Sequence, residues 1–232
     1  MTSKWLRAQC QTSAGPYLLP FAPNPNWQTA SVFVVGLNPI ASFREEFGSF
    51  NRYWDALTQD PDSFEKIYGQ KYLRQGKERS RTNARLKELV TMLAPLNVLV
   101  TNVFAYPTTN PLRIPRAIKN RPLAEMILPR LLEHCRPQAV VFHGAQARSF
   151  GERYFGVKLD PRIEPHRQKV TGVAPYMKGA RTHLFAYHHF VGRVEPKVVV
   201  DIHLEQLAAS IRRLVDNHRP KQGNNGSEVP VC

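Results

Sequence analysis

The sequence predicts an α/β fold with three layers, in which a central, mainly parallel sheet of four strands lies between two layers of helices. Four short apolar runs are rich in β-branched residues and lack polar alternation, as expected of strands that are covered on both faces. These runs are 31–37 (SVFVVGL), 97–103 (NVLVTNV), 138–143 (QAVVFH) and 182–187 (THLFAY). Segments of helical periodicity alternate with them, which favours parallel strand pairing.

Three segments have the apolar spacing of helices, at 82–93, after Pro122 and after Pro196. The first has Thr82 or Asn83 as its expected cap. The second is expected to kink at Pro129, because proline removes a backbone donor. The third carries the clearest apolar stripe of the chain. Its members are Val200, Leu204, Leu207, Ala208, Ile211 and Val215.

The domain organisation is expected to be simple. We expect one domain over 1–218, with a basic insertion at about 43–81 and a wrapping arm formed by the first twenty-odd residues. The tail at 219–232 is polar, contains proline and glycine, and is expected to be disordered.

The charge points to a polyanionic partner. The chain has 32 Lys and Arg residues against 18 Asp and Glu residues, a formal net charge of +14. Such a charge favours nucleic-acid binding, although many basic proteins bind no polyanion. The three cysteines have no disulfide or zinc spacing, and no apolar run is long enough for a membrane span. We expect a cytoplasmic monomer that binds DNA and needs no membrane, metal or cofactor.

Polar groups follow all four predicted strands. Because ligands of open parallel sheets bind outside the carboxyl ends of the strands, these groups are expected to meet at one rim. The four segments are Gly36-Leu37-Asn38-Pro39, Thr101-Asn102, His143-Gly144 and Tyr187-His188-His189. They contain no carboxylate, and an asparagine cannot act as a general base. The rim therefore suits hydrolysis of an N-glycosidic bond, in which an oriented water attacks an oxocarbenium-like sugar while a histidine stabilises the departing base.

Four segments resemble, in order, the motifs of the uracil-DNA glycosylase superfamily, over about residues 31–215. The segment 36–39 (GLNP) is similar to the first motif of its asparagine-containing branches. The segment 99–111 (LVTNVFAYPTTNP) resembles the part that reads the extruded base, and 140–147 (VVFHGAQA) resembles the following strand and glycine turn. The segment 186–193 (AYHHFVGR) resembles the loop that carries the leaving-group histidine.

The resemblance implies a role for each matching residue. Asn38 would position the attacking water with the backbone around Pro39. His188, or His189 by a shift of one residue, would stabilise the departing base. Asn102 would bind the base, although a strand-end cap is an alternative role for it.

The resemblance also implies a base pocket that includes Gly36 and Ile40. An aromatic ring is expected to stack on the base within it. Phe50 is nearest to the family position, with Phe47, Tyr53 and Trp54 as alternates, and each of them would fit a core position equally well.

The chain departs from the family at several positions. His189 and Phe190 replace the proline and serine of the histidine loop, so Phe190 or Val191 is the expected wedge and Arg193 the expected phosphate contact. Ile40 stands where relatives often carry glycine or an aromatic gate, which indicates an altered pocket. The iron-sulfur branches need four cysteines, whereas this chain has only Cys10, Cys135 and Cys232.

The segment 66–87 holds eight basic residues and one acidic residue, interleaved with tyrosines. This pattern suits phosphate contacts, with a solvated helix face as the alternative. The predicted DNA contacts in it are Lys71, Arg74, Lys77, Arg79 and Arg81.

The departures favour a monofunctional glycosylase that acts on a flipped, bulky base and leaves an abasic site. The resemblance extends to phage-defence glycosylases that remove glucosylated hydroxymethylcytosine, so an antiviral role is one expectation. Repair of uracil or another deaminated base is the first alternative, and a non-catalytic nucleic-acid-binding module with the same fold is the second. A metal-dependent hydrolase using His143, His183, His188 and His189 is the third, although no carboxylate completes its ligand set.

Overall fold

The protein is described by a computed structural model that covers residues 2–74, 81–159, 172–176, 180–187 and 197–216. In this part of the chain five strands form one sheet. They are β1 (Val32–Gly36), β2 (Val98–Asn102), β3 (Ala139–His143), β4 (Gly172–Tyr176) and β5 (Ala180–Tyr187). The helices are α1 (Ser3–Cys10), α2 (Arg44–Phe47), α3 (Phe50–Thr58), α4 (Pro61–Arg74), α5 (Arg81–Met92), α6 (Arg116–Lys119), α7 (Ile127–Cys135), α8 (Ala145–Phe155) and α9 (Lys197–Asp216).

The sheet has the strand order β2-β1-β3-β5-β4. Its first four strands are parallel and coincide with the four predicted runs, and β4 is antiparallel to β5 at the edge. The predicted three-layer α/β fold is therefore confirmed, with one strand more than expected. The sequence of β4 (GVAPY) hides it, because glycine and proline are rare in strands and proline is tolerated mainly at an edge.

Two apolar layers cover the two faces of the sheet. On one face Phe33, Val35 and other strand residues pack with side chains of α1, α3, α7 and α8. On the other face Val32, Val34 and their neighbours pack with α5 and α9. Burial on both faces explains why the strands lack polar alternation.

The predicted helices are found with one change. The segments 82–93 and 200–215 form α5 and α9, as expected. The helix expected after Pro122 is a 3-10 turn followed by α7, which begins only at Ile127. Pro129 therefore lies in the first turn, where its missing N–H group has no intrahelical acceptor to lose, so the expectation that it kinks a helix interior is wrong.

The N-terminal arm wraps the open edge of β2. The amide of Ala22 donates to the carbonyl of Val100 (2.7 Å), and the amide of Leu19 donates to that of Ala105 (2.8 Å). The arm also contains α1, which the sequence pattern did not reveal. The predicted insertion forms α2, α3 and α4, whereas 219–232 lies outside the described residues. None of the described helices is long and apolar enough to cross a membrane.

Candidate functional site

The ends of β1 and β2 lie side by side, and the loops that follow them stay paired. Gly36 is opposite Asn102 in the parallel register. Beyond the strands, the amide of Phe104 donates to the carbonyl of Leu37 (2.9 Å), and the amide of Thr108 donates to that of Pro39 (2.8 Å). The loop that begins with the first motif (36–39) is therefore held in place by the loop that follows β2.

Asn38 is oriented by this pairing. Its Nδ2 donates to the carbonyl of Pro39 (2.9 Å) and to the carbonyl of Thr108 (2.7 Å). An asparagine amide has two N–H groups, and both are used. Its Oδ1 accepts no hydrogen bond from the described residues, and Asn38 lines a large cavity. The oxygen is thus a fixed acceptor available to a ligand or a water.

Asn102 and His143 converge above Gly36. A Cβ atom built on Gly36 lies 2.8 Å from Asn102 Oδ1 and 2.8 Å from His143 Nε2. These distances are shorter than van der Waals contact, so any larger residue would displace both side chains. Glycine is required here by this close approach, because an amide oxygen and an imidazole nitrogen each lie 2.8 Å from the position of its missing Cβ atom.

The turn after β3 directs a helix at the same cavity. Gly144 has a φ of 86°, a backbone conformation that L side chains rarely adopt, and its amide donates to the carbonyl of Tyr187 (3.0 Å). This turn leads directly into α8, and Ala145 and Gln146 of its first turn line the cavity. The positive end of the α8 dipole therefore faces the cavity, beside His143.

The cavity has a volume of about 870 Å³ and two walls. We call Asn38, Asn102 and His143 the strand-end wall, because each follows or ends a parallel strand. Another part of the lining comes from α4 and α5. Its residues, the helical wall, are Tyr68, Tyr72, Asn83, Leu86 and Lys87.

The helical wall is aromatic with polar groups between its rings. The rings of Tyr68 and Tyr72 stack with centroids 4.7 Å apart, and Asn83 Nδ2 donates to Tyr68 Oη. Burial raises the pKa of Tyr68 well above its usual value, so its phenol stays neutral. Lys87 pairs with Glu65 at 2.6 Å, and Glu65 is the single carboxylate among the described lining residues.

The predicted base pocket is partly found and partly corrected. Pro39 and Ile40 line the cavity with Asn38 and Asn102, and Ile40 is 50% exposed. Phe47 and Phe50 do not line it.

The two phenylalanines lie in the core instead. Phe50 packs edge-on against Tyr17 (5.1 Å between centroids), and Phe47 packs against Tyr53 and Phe64. The alternates Tyr53 and Trp54 are also buried. The expectation that Phe50 or Phe47 stacks on a ligand here is therefore wrong. The lining aromatic residues are Phe43, Phe64, Tyr68 and Tyr72.

The predicted leaving-group histidines, His188 and His189, lie outside the described residues, and so do Phe190, Val191 and Arg193. Their roles stay predictions. Within the described part the imidazole at the cavity is His143, which is 7% exposed. The sequence places His143 at a strand end but does not predict a catalytic role for it, because it stands in a different motif from the leaving-group histidine of the family.

The predicted DNA contacts of the basic segment differ in where the structure places them. Lys71 forms an ion pair with Glu46 and donates to the carbonyl of Ser42 (2.6 Å), so its ammonium has partners within the protein, and its contact with DNA stays a prediction. Arg81 is exposed at the start of α5, and Arg74 ends α4. Lys77 and Arg79 lie outside the described residues.

The geometry does not favour a metal site. His143 is paired with Tyr187, and His183 with Ala139, four positions away along the β3–β5 pair. At roughly 3.3 Å per residue the two histidines are about 13 Å apart, too far for one ion. Across the described ranges, no group of three or more His, Cys, Asp or Glu residues could hold a metal.

No protein-family model matches this chain, and no curated protein matches it significantly.

Proposed function

We propose that this chain is a DNA glycosylase that hydrolyses the N-glycosidic bond of an extruded nucleotide and leaves an abasic site. The observation that carries the proposal is the strand-end wall: two carboxamides and an imidazole line one cavity at the carboxyl edge of the parallel sheet. Ligands of open α/β sheets bind at this edge.

Asn38 has the role of holding the attacking water. Its amide nitrogen is committed to two carbonyls, which aims its oxygen as a hydrogen-bond acceptor. An amide cannot remove a proton, so the electrophile must react with a neutral water. The oxocarbenium-like sugar of a breaking glycosidic bond meets this condition. Glu65, the lining carboxylate, is paired with Lys87 on the helical wall and is not needed as a base.

Asn102 and His143 have the role of binding the departing base. Asn102 Oδ1 and His143 Nε2 each lie 2.8 Å from a Cβ atom built on Gly36, so they are close enough together for one planar polar edge to contact both. Negative charge develops on the base as the bond breaks, and an imidazole donor with the N-terminus of α8 behind it stabilises that charge. His188 or His189 would add a second imidazole at the end of the neighbouring strand.

The substrate we favour is a base with a bulky polar substituent, with glucosylated hydroxymethylcytosine of phage DNA as the first candidate and antiviral defence as the setting. A cavity of about 870 Å³ lies near the top of the range of about 300–1,000 Å³ for pockets that bury a whole drug-sized ligand. An unmodified pyrimidine is much smaller than such a ligand. The phenol and amide of the helical wall offer hydrogen bonds to sugar hydroxyls.

The test is base release from a panel of DNAs that contain uracil, hypoxanthine, xanthine, hydroxymethylcytosine or glucosylated hydroxymethylcytosine. Alkali cleaves the abasic sites, and the fragments are measured. We expect release of the glucosylated base. Release of uracil alone would redirect the assignment to repair, and absence of release from every DNA would contradict the proposed reaction.

Asn38→Ala separates an enzyme from a binding module. We expect base release to fall about 100-fold, the cost of misplacing a reacting group, while DNA affinity stays within twofold of the wild type. The matched control is Asn51→Ala, which removes an exposed amide on α3 whose partner is Arg7. It should leave base release unchanged.

A further inference from the structure

A second cavity adjoins the one described above. It has a volume of about 550 Å³, and its lining comes from the N-terminal arm, α2, α4 and the loop that follows β2. Thr108 lines both cavities, and Ser42 lines the second while its neighbours Ala41 and Phe43 line the first. The two cavities therefore share a wall made of Thr108 and the segment 41–43.

The fold fixes the sides of this second cavity. Arg44 of α2 donates to the carbonyl of Gly15 (2.6 Å), which fastens the N-terminal arm to α2. Lys71 of α4 donates to the carbonyl of Ser42 (2.6 Å) and forms an ion pair with Glu46, which fastens α4 to α2. The cavity is therefore formed before any ligand enters it.

One carboxylate oxygen in this lining has no donor. Glu46 Oε1 takes the ion pair with Lys71, whereas Oε2 is buried and accepts no hydrogen bond from the described residues. A buried acceptor without a donor is costly, and a ligand that brings an N–H group would remove this cost. The Glu46 side chain is 17% exposed, and the torsion that turns a carboxylate is soft. Its Oε2 can therefore turn to a donor in the cavity.

The rest of the lining has the features of a nucleotide site. Tyr106, Pro16 and Pro107 offer flat apolar faces, and Tyr106 makes no ring contact with another aromatic residue of the described ranges. Arg113 is exposed, and its guanidinium pairs with no carboxylate in the part of the chain that the structure describes. Bases stack on aromatic rings, and guanidinium groups bind phosphates. A planar ring with an amino group, joined to a phosphate, matches the stacking face, the acceptor and the cation together.

We propose that the second cavity binds the nucleotide next to the extruded one, and that Glu46 selects a base with an exocyclic amino group at this position. Tyr106 stacks on the base, Glu46 accepts from its amine, and Arg113 contacts its phosphate. Adenine, cytosine and guanine carry such an amine, whereas thymine does not. The inference rests on the proposed function, because a strand with one nucleotide in the first cavity has its neighbour at the shared wall.

The experiment measures the affinity of the wild-type protein for single-stranded oligonucleotides by fluorescence anisotropy. Each carries one tetrahydrofuran abasic analogue with either adenine or purine, which lacks the amine, on its 5′ or 3′ side. On one side, adenine should bind about tenfold more tightly than purine, the value of a hydrogen bond to a charged group. Equal affinities on both sides would overturn the proposal. Binding of free deoxyadenosine monophosphate without any preference on the strand would also overturn it, because the cavity would then serve a free nucleotide.

Glu46→Gln tests the acceptor itself. Because the Lys71 ammonium needs an oxygen, the nitrogen of the introduced amide should take the place of Oε2 and present a donor there. The preference for adenine should fall below twofold, while the affinity for the purine oligonucleotide stays within threefold of the wild type. The matched control is Glu45→Gln, which removes the same charge from an exposed residue of the same lining and should keep the tenfold preference. A preference that survives Glu46→Gln, or that is lost equally in both variants, would overturn the role of Glu46.

These affinities do not depend on base release, because the analogue has no base to lose. A panel without any released base would contradict the proposed reaction, whereas equal affinities for adenine and purine would contradict the second site alone.

Discussion

The two walls of the cavity differ in how the fold fixes them. The strand-end wall follows from the register of three parallel strands, and Asn38 is tied to two backbone carbonyls. The helical wall is built by side chains of two helices. Tyr68 and Tyr72 stack on each other within α4, and the bond from Asn83 to Tyr68 joins α5 to α4. This difference leads us to propose that the strand-end wall carries out the reaction and that the helical wall selects the substrate. Substitutions in the strand-end wall should lower base release from every substrate, and substitutions in the helical wall should lower it for only some substrates.

The largest effect is expected from Gly36→Ala. The new methyl would lie 2.8 Å from both Asn102 Oδ1 and His143 Nε2, so it must push the two side chains away from their meeting point. We expect base release to fall by about 100-fold or more for every substrate, measured under single-turnover conditions.

Two other glycines provide the controls for this substitution. Gly151→Ala places a methyl 2.6 Å from the Phe142 ring, so it should lower the melting temperature by several degrees while the folded protein keeps its activity. Gly69→Ala meets nothing within 4 Å inside α4 and should raise the melting temperature by about 1–4 °C. If Gly36→Ala loses stability like Gly151→Ala but keeps full activity when folded, the strand-end wall is not the reaction site.

His143→Gln should have the next largest effect. The amide keeps a donor but removes the imidazole, so less charge on the departing base is stabilised. We expect kcat to fall about tenfold to 100-fold with little change in KM, and equally for large and small bases. An unchanged kcat would mean that His143 does not stabilise the departing base, and that the His188/His189 pair alone has this role.

Tyr68→Phe tests the helical wall. The phenol that accepts from Asn83 is removed, whereas the ring stack with Tyr72 remains. Release of a sugar-substituted base should fall about threefold to tenfold, the value of one hydrogen bond, and release of an unsubstituted base should not change. Equal losses of base release for both substrates would contradict the proposal that the helical wall selects the substrate.

The smallest effect is expected where α5 is anchored to α9. Arg85 forms ion pairs with Glu88 and Asp201, and the Asp201 side chain is 37% exposed. Because such a pair is partly solvated, Asp201→Asn should lower the free energy of unfolding by about 0.2–1 kcal/mol in urea denaturation, without a change in base release. A selective loss on sugar-substituted DNA would mean that this ion pair also shapes the helical wall.

The strand-end wall could be predicted from the sequence because its positions follow from topology. Four apolar runs predict parallel strands, and parallel strands bring the residues that follow them to one edge. Asn38 and Asn102 were found in this way. The sequence places His143 at a strand end as well, but the family resemblance implies the leaving-group role for His188 or His189 instead.

The helical wall could not be predicted in the same way. Tyr68 and Tyr72 are neighbours four residues apart in α4, but Asn83 reaches Tyr68 only because α5 packs against α4. No local period records which residues of two helices meet. Sequence distance from the first motif favours Phe50 and Phe47 as stacking residues, whereas the structure buries both in the core. The charge of its segment predicts that Lys71 contacts DNA, and no local pattern indicates its ion pair with Glu46, which lies 25 positions away in the chain.

The most direct test of the central claim is a crystal structure with DNA that carries the base identified by the panel on a 2′-fluoroarabinose, whose fluorine slows glycosidic cleavage by destabilising the oxocarbenium-like state. We expect the extruded base in the cavity, with its polar edge at Asn102 and His143 and a water between Asn38 Oδ1 and the sugar C1′, at hydrogen-bond distance of about 2.7–3.2 Å from the oxygen. A base that stays stacked in the duplex, or that occupies a different cavity, would contradict the proposed site.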